Sequence, residues 1–334
     1  MVAIYSAVHF LVDFACAFLM FRRISQSPDW YTRVLLYNFC AFAMQLPIGV
    51  IADRINRNHL VAGAGCIMVA AGYGLAGLPT AAAIVIGLGN GMFHIGGGID
   101  VLNIGTNIAP LGIFVSPGAF GVYFGTILGK GTTPAALQDQ IVLLAVAVII
   151  IVAAVSIVAA HRAWPGSYIE NAPFSPEAPP SALILTACMF LVVCLRSYVG
   201  LAINFPWKGI GYWGLGLVCA TVFGKAAGGF LSDRFGPRIT AVVSLGFAAL
   251  LFLIPQIPPA GVAAVLLFNM SMPITLWGVA KLFPRAKGFS FGLLTFALFL
   301  GFLPIHLGVS APPFWLFTPL AAVSLLLLVI GLKE

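Results

Sequence analysis

Gly49-Val50-Ile51-Ala52-Asp53-Arg54-Ile55-Asn56-Arg57 and Gly229-Phe230-Leu231-Ser232-Asp233-Arg234-Phe235-Gly236-Pro237-Arg238 decide the architecture, because they are one pattern written twice. Both read G-x-x-x-D-R-x-[N/G], with another arginine directly after or one residue later, and they stand 180 residues apart. Each follows a long apolar run. A single Asp-Arg pair is an ordinary stop signal at a membrane boundary, whereas two copies in register mark an internal repeat. The glycine lets two helices approach closely, and the Asp and Arg side chains can make charge-assisted bonds to neighbouring helix ends.

Composition sets the surroundings of that repeat. Of 334 residues, 61% are hydrophobic and 7% charged, against about 25% charged in an ordinary soluble domain. Mean hydropathy over the whole chain is +1.08, so lipid is the solvent for most of the surface. A helix needs about 20 residues to cross the hydrocarbon core. Apolar runs broken by Pro, Gly and charge give twelve candidate spans near 2–21, 33–52, 59–78, 81–102, 110–129, 140–161, 181–204, 209–232, 238–255, 260–281, 288–307 and 313–332. Runs such as Ile141 to Ala160 show no apolar/polar alternation, which argues against a membrane β-barrel. Residues 1–21 lack a basic leader region and run into Arg22-Arg23 without a small-residue cleavage site, so they read as the first span. Residues 162–180 are polar and hold five prolines, the composition of a semi-rigid linker. The expected organisation is an all-α integral membrane protein: an N-terminal six-helix bundle over 1–161, a cytoplasmic linker over 162–180 and a C-terminal six-helix bundle over 181–334.

Charge gives orientation and removes other classes. With the N-terminus inside, inner loops and the C-terminus hold Arg54, Arg57, Arg162, Arg234, Arg238, Lys281, Arg285, Lys287 and Lys333, against Arg22, Arg23, Arg33, Lys130 and Lys208 outside. The bias puts both termini in the cytoplasm, against the placement of Arg22-Arg23. The net charge of +7 gathers into no basic patch, so nucleic acid is not an expected partner. All six cysteines fall in apolar runs without ligand spacing and read as small buried hydrophobes; no metal site and no cofactor is expected.

The repeated loop, the twelve spans and the central linker resemble the major facilitator superfamily, whose signature loop between helices 2 and 3 is G-x-x-x-D-R-x-G-R-[R/K], echoed between helices 8 and 9. Here Asn56 stands where glycine is usual, Asn58 takes the last basic position, and Pro237 interrupts the second copy. The resemblance implies two pseudo-symmetric six-helix bundles that rock about a midplane site. It also implies that Asp53, Arg54, Arg57, Asp233, Arg234 and Arg238 act in gating. Gly112-Ile113-Phe114-Val115-Ser116-Pro117-Gly118-Ala119-Phe120-Gly121 is similar to the glycine–proline pattern of the superfamily's antiporters. Read from the residues alone, its small side chains and Pro117 give close packing and a bendable helix.

Ionisable and amide groups inside the spans mark the candidate site, since burying them in hydrocarbon costs several kcal/mol. In the first span Tyr5, His9 and Asp13 recur every four residues, on one helix face. The fourth span holds Asn90, His94 and Asp100, the seventh Arg196, Ser197 and Asn204, and the tenth Asn269, Ser271 and Thr275. In the family that the chain resembles, spans 1, 4, 7 and 10 line the cavity. At about 1.5 Å per residue, Asp13, His94 and Arg196 all lie roughly 18–22 Å from an end of their spans, near the midplane. Asp13 and Arg196 are expected to face each other, with His9 or His94 as proton relay. The bland alternative is a static ion pair that fixes helix packing. Asn90 and Asn269 correspond under the repeat. Gly96-Gly97-Gly98 is costly inside a helix and is expected to hinge or unwind it, with Pro117 a second bend. Lys225 reads as a snorkelling side chain, and His306 as an interfacial one near the outer end.

The leading expectation is a secondary active transporter, not an enzyme. It would move a small organic solute by alternating access, coupled to protons, with export by antiport favoured over uptake. The expected protein is a monomer in the cytoplasmic (inner) membrane. The resemblance to the drug-efflux branch that includes fosmidomycin-resistance proteins rests on His9–Asp13 and Arg196–Ser197. The competing classes are an integral membrane lipid-handling protein, for which the scattered histidines offer no catalytic spacing, and a non-transporting membrane sensor, for which the chain ends leave little room.

Overall fold

The computed structural model describes residues 1–131, 136–163, 175 and 179–333. The linker expected over 162–180 lies outside the described residues except at 162–163, 175 and 179–180. Twelve helical segments follow one another: α1 (Val2–Arg22), α2 (Trp30–Ile55), α3 (Asn58–Gly74), α4 (Pro79–Asn103), α5 (Ala109–Lys130), α6 (Ala136–Ala163), α7 (Ala182–Ala202), α8 (Trp213–Phe235), α9 (Pro237–Leu251), α10 (Pro258–Leu282), α11 (Lys287–His306) and α12 (Phe317–Gly331). Among the described residues ten helical stretches are long and apolar enough to cross a membrane, α12 when the 3-10 turn Phe314–Leu316 before it is included. Helices α3 and α9 are shorter, at 17 and 15 residues. The chain is a multi-pass membrane protein. No strand occurs among the described residues.

Helices α1 to α6 pack mainly on one another, as do α7 to α12. Across the two bundles, packing concentrates where α2 meets α11 and α5 meets α8. Glycine makes both crossings possible. A side chain at Gly49 or Gly288 would strike the other's backbone, and Gly112 and Gly229 occupy the corresponding positions between α5 and α8.

Both signature loops turn on a residue with positive φ: Asn56 at 52° and Gly236 at 87°. A left-handed residue closes a helix C-terminus, and after glycine it is asparagine that tolerates this conformation best. The departure at Asn56 therefore preserves the turn. Asn58, at the last motif position, is buried, with its side chain beside Asp100 on α4.

Three helices are interrupted. Helix α2 carries a π-helical turn over Phe39–Ala43, α5 breaks at Ser116–Pro117, and α10 breaks at Met270, directly after Asn269. The expected break at Gly96, Gly97 and Gly98 is absent: α4 runs as one helix from Pro79 to Asn103. Those glycines are contact positions instead. Gly96 lies against the backbone of Asn58 and Ala62, Gly97 against the rings of Tyr5 and Phe114, and Gly98 against the ring of Phe291.

The Arg22-Arg23 pair, which weakens the orientation bias, has a structural role. Arg22 Nε donates to Asp139 Oδ1 at 2.7 Å, and Arg23 bonds to Oδ2 of the same carboxylate, tying the end of α1 to the start of α6. Arg22 and Asp139 are buried there, so these arginines are committed to an internal ion pair.

Candidate functional site

Helices α1 and α4 run antiparallel, and their polar residues meet in pairs like rungs. Tyr5 Oη donates to Asp100 Oδ2 at 2.5 Å, the two imidazoles of His9 and His94 meet at 2.8 Å, and Asn90 Nδ2 donates to Asp13 Oδ1 at 2.8 Å. The four-residue spacing on α1 produces this ladder, because it keeps all three side chains on the face that α4 covers. The lowest rung, Tyr5–Asp100, adjoins the signature-loop face through Asn58. The upper two lie near the middle of the spans.

Tautomers follow from the partners. His9 Nδ1 lies 2.7 Å from the carbonyl oxygen of Phe114, and His94 Nδ1 lies 2.9 Å from that of Asn90. A carbonyl only accepts, so each Nδ1 carries a proton and each Nε2 presents a lone pair when the ring is neutral. Those two Nε2 atoms face each other, and Asp13 closes the group, with Oδ2 at 3.1 Å from His9 Nε2 and Oδ1 at 3.8 Å from His94 Nε2. Two lone pairs at 2.8 Å repel unless something positive lies between them, and one proton shared by the imidazoles, balanced by Asp13, is the smallest such charge.

Helix α5 supplies the floor. At Gly118, just past the Ser116–Pro117 break, a side chain would collide with His9 and Asp13. Gly121, Gly125 and Gly129 continue the same stripe against the α1 backbone at Phe10, Phe14 and Phe18. The glycine pattern of the fifth span thus lets a backbone approach the buried polar pair.

The C-terminal bundle contributes differently from the expectation. Asp13 and Arg196 form no ion pair among the described residues; Asp13 is occupied by His9, His94 and Asn90. Arg196 is 7% exposed, and its Nη1 is buried without a hydrogen-bond partner. A charged side chain at mid-membrane depth costs about 2.5–3.5 kcal/mol on insertion scales even before such isolation. Lys225 does not snorkel away. Its Nζ donates to the carbonyl of Val115 at 3.2 Å, across the bundle boundary, and its charge lies within electrostatic reach of Arg196, Asp13 and His94. The sequence instead predicts an inward, snorkelling reach for this residue, from its two-turn distance to Asp233.

The other polar residues of the C-terminal bundle stand apart. Asn269, Ser271 and Thr275 bond to carbonyls of their own helix at Val265, Phe268 and Met272, and Ser197 bonds to the carbonyl of Leu298 on α11. Asn269 lines a cavity of about 250 Å³ with Val199, Gly200 and Thr221. It does not join the cluster around Asp13. His306 is buried and stacks on Tyr31, with ring centroids 4.0 Å apart.

The two signature aspartates form matched contacts on the loop face. Asp53 accepts the backbone N–H groups of Gly288 at 2.7 Å and Phe289 at 2.8 Å, the first turn of α11. Asp233 accepts those of Ile108 at 2.7 Å and Ala109 at 2.9 Å, the first turn of α5. Each aspartate therefore caps a helix of the opposite bundle, satisfying N–H groups that have no partner within their own helix. Lys287 adds bonds to the Leu102 carbonyl and Asn103 Oδ1, at the end of α4. Arg54, Arg57, Arg234 and Arg238 are exposed on the same face.

No protein family and no curated protein matches the chain by sequence. Solved structures match over its whole length. A major facilitator superfamily transporter, FucP, in the outward conformation, is 13% identical and covers 100% of this chain and 99% of its own, with a TM-score of 0.72. The fucose:proton symporter of E. coli gives 12% identity, 100% and 98% coverage and a TM-score of 0.70. A bacterial homologue of the iron transporter ferroportin, in an outward-facing state, gives 15%, 99% and 97%, and 0.66. The chain has the fold of the major facilitator superfamily: twelve helices in two six-helix bundles.

Proposed function

We propose that the protein is a secondary active transporter that moves a small organic solute across the cytoplasmic membrane by alternating access. The observation that carries this reading is the pair of cross-bundle caps, Asp53 on Gly288 and Phe289, and Asp233 on Ile108 and Ala109. Two pseudo-equivalent latches on one face, with buried ionisable groups midway through the helices, suit two bodies that rock about a central site. In this reading the bundles 1–161 and 181–334 are the moving bodies. The basic signature-loop face and both termini are cytoplasmic, Arg54, Arg57, Arg234 and Arg238 assist the latches, and the conformation described here is open outward. The protein works as a monomer.

The finer form of the proposal is proton coupling, with export by antiport favoured over uptake. Asp13, His9 and His94 form the coupling group, and Asn90 orients Asp13. The α1–α4 ladder supports this role, because it leads from Asp100, buried near the loop face, to the midplane. Lys225, within electrostatic reach of Asp13 and His94, and Arg196, within reach of Lys225, supply positive charge and would contact an anionic or amphipathic solute; Asn269 lines a cavity within the C-terminal bundle. The fold serves a proton-coupled sugar carrier and a homologue of an iron transporter among its neighbours, so it does not choose the solute.

The test begins with a strain lacking the protein, screened for compounds to which it has become sensitive. Such a compound is then offered to proteoliposomes containing a pH-sensitive dye. The expected result is movement of the compound against a lumenal pH change of opposite direction, absent from protein-free vesicles. Flux that ignores an imposed pH gradient contradicts the coupling, and no flux for any such compound contradicts transport.

A further inference from the structure

We infer that His9, Asp13 and His94 form a binding site for a divalent first-row transition metal ion. Their ligand atoms lie within 4.8 Å of one another, two imidazoles and one carboxylate, a donor set suited to such ions. Proximity is the smaller part of the case. Each ligand is also held from behind: His9 Nδ1 by the Phe114 carbonyl, His94 Nδ1 by the Asn90 carbonyl and Asp13 Oδ1 by the Asn90 amide. Metal-binding histidines almost always donate the second ring N–H in this way, which fixes the tautomer and aims the other nitrogen at the ion. Here both Nε2 lone pairs converge beside a carboxylate, on helices α1 and α4, over the bare backbone of Gly118.

The fit needs little movement. Two nitrogens on one tetrahedral zinc ion, at about 2.0–2.1 Å each, stand roughly 3.3 Å apart. The Nε2 atoms are 2.8 Å apart, so the rings must part by roughly half an ångström. Three protein ligands leave at least one position open, as in sites that exchange or process a bound molecule. Lys225 lies within electrostatic reach of both Asp13 and His94, and Arg196 lies within reach of Lys225. Their repulsion weakens cation binding, which makes the site one for a metal that imidazole holds well, such as Zn²⁺ or Co²⁺, and a poor one for Mg²⁺ or Ca²⁺.

The site rests on ligand geometry and stands or falls separately from transport. Full-length protein in detergent, stripped with a chelator, is titrated with Co²⁺ and followed by visible ligand-field absorption. The expected result is one Co²⁺ per chain, displaced by Zn²⁺ and not by Mg²⁺. Asn90→Ala should weaken binding by about 10- to 100-fold, the usual effect of losing an orienting partner; His94→Gln should weaken it further, and Lys225→Met should strengthen it. X-ray absorption of the Zn²⁺-loaded wild-type protein needs no variant, and should show two imidazoles at about 2.0–2.1 Å. Co²⁺ uptake equal to that of a His9→Gln, His94→Gln double variant, or a zinc shell without imidazole, overturns the inference. Loss of metal binding with intact gradient-driven flux would refute the metal site alone, and the reverse pattern would refute transport alone.

Discussion

His9 and His94 face each other through their Nε2 atoms at 2.8 Å, although 85 residues separate them in the chain. Their Nδ1 atoms are committed to carbonyls, so the contact persists only with positive charge between the rings, and Asp13 is the counter-charge within reach. The pair is thus a point of convergence for α1 and α4, and Gly118 of α5 closes it from below.

Replacing Gly118 should disturb this convergence more than its size suggests. Gly118→Ala places a methyl group against His9 and Asp13, and overpacking of this kind costs about 1–3 kcal/mol. Gly200→Ala is the control, because a side chain there meets nothing within 4 Å and helix propensity favours alanine by about 0.8–1.0 kcal/mol. Thermal unfolding in detergent should separate the two, Gly118→Ala falling and Gly200→Ala holding or rising. Equal behaviour would mean that α5 can move away freely.

The two latches should differ in strength. Asp53 is buried whereas Asp233 is exposed. Losing charge-assisted bonds to two backbone N–H groups in a buried setting costs about 1.5–3 kcal/mol, against about 0–1 kcal/mol for an exposed charge interaction. Each 1.4 kcal/mol is tenfold in a two-state equilibrium. With spin labels at Arg57→Cys and Arg285→Cys, after replacement of the native cysteines, Asp53→Asn should raise the long-distance population on the loop face about tenfold or more. Asp233→Asn should raise it less. A single distance unchanged in both variants would remove the latches from the mechanism.

Asn56 offers a local check on the loop. At φ 52° glycine is at ease, whereas an alanine in the left-handed region costs roughly 1–2 kcal/mol. Asn56→Gly should leave the melting temperature unchanged and Asn56→Ala should lower it. The opposite order would show that the asparagine side chain, not its backbone, is what the turn requires.

These residues also show what the sequence could and could not reveal. The loop repeat, the span count and the face shared by Tyr5, His9 and Asp13 are legible because helical periodicity and self-similarity are properties of the chain itself. The partner of Asp13 is not, since it depends on how α1 and α4 are rotated about their axes. A usable signal was present: His9–Asp13 and Asn90–His94 share a four-residue spacing on two helices that must run antiparallel. Repeat arithmetic instead paired Asp13 with Arg196, and pseudo-symmetry relates positions without bringing them into contact. Gly96 to Gly98 misled for a related reason. Glycine propensity predicts a break, but α3, Phe114 and Phe291 pack so closely on α4 that only glycine fits the intact helix.

Arg196 should show a conflict between stability and activity. Its guanidinium is buried with Nη1 unpartnered, so Arg196→Met removes a cost of about 2.5–3.5 kcal/mol on insertion scales. The variant should melt at a higher temperature and fail to transport. Lower stability with full transport would assign Arg196 to the structure alone.

Asp13→Asn in proteoliposomes gives the sharpest reading of the coupling group. Asparagine keeps the size of the side chain and removes the carboxylate that balances the histidine pair. Solute exchange at equal pH on both sides should persist, because rocking and solute binding remain, while accumulation driven by a pH gradient should vanish. Full gradient-driven accumulation by Asp13→Asn would contradict proton coupling through this site.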